Sequence, residues 1–154
     1  MWNSKLQDSL HVKSIQHQTK KNPLSVVIPT LGGEILKETI AQLNRGTLLP
    51  EEILVCIPEQ DAFRVKDLSY PNVRVIKTKC KGQVFQRIEG FKQAKCNYVV
   101  QLDDDIYVYE ECLDLLVQSL EKFCGKAAIS PSFIFLSIRR LFFYYWNNSD
   151  CSGW

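Results

Sequence analysis

Three consecutive carboxylates, Asp103-Asp104-Asp105, follow directly on the apolar run Tyr98-Val99-Val100-Gln101-Leu102. Adjacent like charges repel, and each raises the pKa of its neighbours unless a cation or hydrogen-bond donors compensate. Along an extended chain, alternation turns Asp103 and Asp105 to one side and Asp104 to the other, so the outer pair can face one cation or its water shell. Hard carboxylate oxygens select Mg2+ or Mn2+, which favour phosphate oxygens as their remaining ligands. The chemistry indicated is metal-assisted binding of a nucleoside diphosphate ester. A plainer reading makes the triplet a cap for a helix starting near Tyr109, because negative charge is stabilising at a helix N-terminus. One aspartate would suffice for that.

Such a site needs elements that deliver it. Leu24-Ser25-Val26-Val27-Ile28, closed by Pro29, has the β-branched character of a strand buried on both faces whose pairing stops at its end. Ile35, Leu36, Thr39, Ile40 and Leu43 recur at helical spacing, which predicts an amphipathic helix ending near Asn44-Arg45-Gly46. Strands are expected at Glu52 to Ile57, Val73 to Ile76 and Tyr98 to Leu102. Helices are expected at Gln83 to Ala94, opened by Gly82, and at Glu110 to Phe123, with Leu113, Leu116, Val117 and Leu120 inward. Ala127 to Ser130 reads as the start of a further strand. This alternation predicts an α/β fold, Rossmann-like, with a mainly parallel sheet and helices on both faces. Ligands of such sheets bind beyond the carboxyl ends of the strands, which singles out loops 29 to 33, 58 to 61 and 103 to 107.

Composition bounds the function. With 154 residues the chain can bury one ordinary core, and a formal charge of +2 is too small to indicate a nucleic-acid partner. The six cysteines show no C-x-x-C pair and no zinc-like spacing, so reduced thiols and a cytoplasmic location are expected, with Cys56 and Cys112 acting as small core hydrophobes. Residues 1 to 22 are polar and read as a mobile leader without signal-peptide character. Residues 23 to 130 form the expected domain. Residues 131 to 154 form an aromatic and basic tail, whose run Phe133 to Trp146 is broken by Ser137, Arg139 and Arg140. That tail suits contact with a further domain or peripheral contact with the cytoplasmic face of a membrane better than a transmembrane span.

The segments LSVVIPT (24 to 30), EEILVCIP (51 to 58) and KGQVFQRIEGFKQAKCNYVVQLDDDIYV (81 to 108) resemble, in order, the amino-terminal half of the family 2 inverting glycosyltransferases. That resemblance implies the GT-A fold with a D-x-D signature, here incomplete at the C-terminus. It implies a nucleotide-sugar donor, most commonly a UDP-sugar, with Mn2+ or Mg2+, and a saccharide or lipid-linked acceptor. By position, Pro29 and Thr30 would line base and ribose, and Arg87 would hold the base or a phosphate. Asp103 would meet ribose or metal-bound water, Asp105 would ligate the metal, and Asp104 belongs to the same donor-binding set. Thr30 can also be read as a loop hydroxyl satisfying backbone, and Arg87 as a surface arginine. The family's acidic turn after the second strand is replaced by Ile57-Pro58-Glu59-Gln60-Asp61, where Glu59 could take the base-reading role with a longer reach.

The resemblance places the catalytic general base beyond Trp154. Three readings follow: a glycosyltransferase, a truncated donor-binding fragment without turnover, and an interaction or membrane-attachment protein whose acidic turn is structural.

Overall fold

A computed structural model describes residues 24–123 and 127–130. The leader and the aromatic tail lie outside the described residues. Four parallel strands, β1 (Leu24–Pro29), β2 (Glu52–Pro58), β3 (Val73–Thr78) and β4 (Tyr98–Gln101), form one sheet in the order β3-β2-β1-β4. Three helices accompany them: α1 (Leu36–Leu43), α2 (Gln83–Gln93) and α3 (Cys112–Lys122). The expected α/β, mainly parallel architecture is therefore present.

Every residue of β1 and β2 is buried, as two central strands covered on both faces require. Alternation divides their side chains between two layers. Val26, Ile28, Ile53, Val55 and Ile57 pack with Leu36, Ile40 and Leu43 of α1 and Leu113 and Val117 of α3. Val27, Leu54 and Cys56 pack with Ile76 and Ala94 on the opposite face, under α2. Burial pushes the Cys56 thiol up to about 12, which suits a thiol used as a small hydrophobe.

The α2 helix lies unusually close to the sheet because Gly90 has no side chain. A Cβ there would stand 2.4 Å from Val27 Cγ1 and 2.8 Å from Cys56 Sγ.

The structure corrects the sequence reading in several places. Ile35 precedes the first turn of α1 and is 56% exposed. Leu116 and Leu120 are only half-buried. Residues 127 to 130 are not part of a strand. The segment after β2 is a 3₁₀ helix, Glu59–Val65, rather than an open loop. Pro29 does not halt pairing with β2, since Thr30 N–H donates to Cys56 O at 3.0 Å. Its missing N–H points toward β4, where pairing has already ended at Val27 and Gln101. No helix among the described residues is long and apolar enough to cross a membrane.

Candidate functional site

The chain order makes β1 the turning point of the sheet. From β1 it moves outward through β2 to β3, then returns over α2 to β4 on the other side of β1. At such a switch point the loops at the carboxyl ends separate and leave a crevice. Here the loops at that place are residues 30 to 33 and Asp103, Asp104 and Asp105, joined by the Thr30–Asp104 hydrogen bond.

The three aspartates have different surroundings. Asp103 receives a charge-assisted hydrogen bond from Arg87 Nη2 at 2.7 Å. Asp104 accepts from the Thr30 hydroxyl, and its backbone carbonyl accepts from Thr39 Oγ1 at 3.1 Å. Asp105 is exposed and makes no hydrogen bond or ion pair with another described residue. The protein thus compensates two members of the triplet and leaves the third open.

Thr30 itself is 4% exposed and accepts from Gly32 N–H at 2.8 Å. The loop-hydroxyl reading of Thr30 describes these bonds, and the same hydroxyl ties its loop to Asp104. Gly32 adopts a positive φ of 82°, and a Cβ there would lie 2.5 Å from Arg64 Cβ, so the loop has room only for glycine.

The α2 helix aims its N-terminal end at this crevice. The buried Gln86 amide donates to Thr30 O at 2.7 Å and to Cys56 O at 2.6 Å, tying the ends of β1 and β2 to the helix. Arg87 follows it and turns to Asp103 with its side chain 25% exposed, so it is not a solvated surface arginine. Its buried Nε has no hydrogen-bond partner among the described residues. Unused helical N–H groups, the helix dipole and a guanidinium converge where a diphosphate would be compensated.

Beyond β2, Glu59 is exposed, whereas Asp61, two residues on, is buried. Lys81 Nζ lies 3.2 Å from Asp61 Oδ2 as an ion pair without hydrogen-bond alignment, and Arg64 Nε lies 4.0 Å from Oδ1. The sequence offers Glu59 for a base-reading role, and the structure adds, two residues on, the buried Asp61 paired with Lys81. The 3₁₀ turn that buries Asp61 carries no helical or strand period, so only the Pro58 that opens it was visible.

Among the described residues no three His, Cys, Asp or Glu side chains converge on a point that could hold an ion. The donor set nonetheless suits a hard cation that takes one or two carboxylates and completes its shell with phosphate and water. Asp105 supplies a free carboxylate, and Asp103 has its second oxygen unengaged by Arg87.

No curated protein matches the sequence. Three solved structures of TarS from S. aureus share its fold. The structure of TarS 1–349 has a TM-score of 0.55 at 20% identity, over 71% of this chain and 38% of that one. A second TarS structure gives 0.53 at 23%, over 65% and 20%. TarS 1–349 in complex with UDP-GlcNAc gives 0.51 at 22%, over 65% and 31%. This chain thus spans less than two fifths of the length of each. The likeness is one of fold and bears out the Rossmann-like α/β expectation in its GT-A form. The family model for glycosyl transferase family 2 matches residues 25–147, most of the chain, and the protein belongs to that family.

Proposed function

We propose that the crevice between β1 and β4 binds a nucleoside-diphosphate sugar together with Mn2+ or Mg2+, for transfer of the sugar to an acceptor hydroxyl. The observation that carries this reading is the division of labour in the triplet: Asp103 on Arg87, Asp104 on Thr30, and Asp105 left open. A merely structural acidic turn has no need of a third carboxylate, and Asp105 is exposed beside two that are already compensated. The UDP-GlcNAc complex of TarS 1–349, a protein of like fold, supports a UDP-sugar as the donor class.

In this reading Asp105 and the free oxygen of Asp103 would hold the cation, which when bound neutralises charge on a departing diphosphate. Arg87 and the N-terminal turn of α2 would bind phosphate oxygens. Asp104 works indirectly, holding Thr30 so that Pro29 and Thr30 shape the nucleoside wall. Asp61 and Lys81, with Glu59 at the rim, would border the base. The acceptor's proton goes to a base that none of these residues supplies.

Calorimetric titration of the full chain with UDP, with Mn2+ and with EDTA, tests the proposal. Affinity should require Mn2+ and fall about tenfold or more in Asp105→Ala. Equal affinity of the two proteins, or no dependence on Mn2+, would remove the reading. Release of free sugar from UDP-GlcNAc then separates turnover from binding alone.

A further inference from the structure

A second surface emerges from the strap between β4 and α3. Residues 106 to 110 pass α1 and the turn that follows it and are held there at three successive points. Thr39 Oγ1 donates to Ile106 O at 3.1 Å, Val108 N–H donates to Gln42 Oε1 at 2.7 Å, and Thr47 N–H donates to Glu110 O at 2.9 Å. Val108 is buried beneath the strap. Tyr107 and Tyr109, on either side of it, both turn outward.

Their rings meet edge to face, with centroids 5.3 Å apart and planes at 74°, yet the two residues remain 64% and 57% exposed. Two aromatic rings fixed on a pinned backbone leave much apolar area in water. Beside them lies a cavity of about 370 Å3, rimmed by Gln42, Arg45, Glu110 and Glu111. Arg45 is already paired with Glu38 at 2.9 Å, so the rim has a net acidic character that disfavours phosphate or another anion.

The ligand chemistry that fits is neutral, with an apolar face to lie on tyrosine rings and hydroxyls to meet amide, carboxylate and guanidinium groups. We infer that Tyr107 and Tyr109 form a saccharide-binding subsite separate from the donor crevice. The inference rests on the glycosyl-transfer reading for its role: the subsite holds non-reacting sugar units of a saccharide acceptor. Tyr109 lies four residues beyond Asp105, a backbone reach of at most about 14 Å, so one oligosaccharide can occupy the subsite and extend toward the crevice.

The test applies the full chain, Tyr107→Ala/Tyr109→Ala and Asp105→Ala to an array of neutral and anionic oligosaccharides, with UDP and Mn2+ titrated separately. The expected result is retention of neutral oligosaccharides by wild type and Asp105→Ala, weakened about tenfold or more in the double tyrosine variant, whose UDP affinity is unchanged. Circular dichroism melting checks that the double variant is folded. Absence of neutral glycan binding by wild type, or equal binding by the tyrosine variant, overturns the subsite. Glycan binding that depends on the tyrosines without any UDP binding keeps the subsite and removes the donor reading.

Discussion

The hydroxyl of Thr30, at the end of β1, donates to the carboxylate of Asp104, at the end of β4, and so joins the two walls of the crevice. The same oxygen accepts from Gly32 N–H. Thr30→Val keeps the shape and removes both interactions, leaving polar groups unpaired in a part-buried place. A loss of about 1–3 kcal/mol in urea unfolding is expected. Mn2+-dependent UDP affinity should fall with it, while Thr30→Ser retains both. A valine variant as stable and as competent as wild type would show that the contact is dispensable.

Gln86 is 1% exposed and serves two carbonyls with one amide. Gln86→Leu deprives both of their donor, and about 2–4 kcal/mol of stability should be lost. Gln86→Glu sets a carboxylate against the same two oxygens at neutral pH. Its unfolding free energy should recover on acidification, because the protonated acid regains one donor. A pH series of denaturant midpoints checks this.

Gly90→Ala places a methyl group inside the contact distance of Val27 and Cys56. The cost should be about 1–3 kcal/mol. Val27→Ala destabilises alone through the cavity it leaves, but removes the nearer of the two clashes and leaves that with Cys56, so the double variant should be more stable than the sum of the single losses predicts. Additive losses would place the strain elsewhere.

Glu52, 8% exposed, anchors the amino-end side of the sheet. Burial raises its pKa, but the Lys95 N–H, the Ser25 hydroxyl and Arg74 outweigh this and hold it below its ordinary value of 4.5. A carboxylate depressed in the folded state contributes stability that is present above its unfolded pKa and lost as pH falls through the folded one. Wild type should therefore weaken below about pH 4.5. Glu52→Gln should be less stable at neutral pH and show a shallower acid limb in urea unfolding.

β1 and β2 were legible because buried parallel strands are written as continuous apolar runs, β3 and β4 as short valine-rich runs, and Gln83 to Ala94 because Gly82 marks its start. The triplet's place was legible for the same reason: it follows β4 without interruption. Other features depend on tertiary partners and leave no local trace. Gln86 looks like an ordinary polar helical residue until two strand ends converge on it. Asp61 looks no more telling than Glu59 until the 3₁₀ turn buries one and exposes the other.

Pro29 sits where the ladder between β1 and β4 stops. With an amide at that position, the chain could offer one more rung toward β4, and the two strands could zip further toward their carboxyl ends. Lacking that proton, Pro29 adds no rung where the β1–β4 ladder ends, and Asp103, Asp104 and Asp105 follow just past that end, outside the strand pairing.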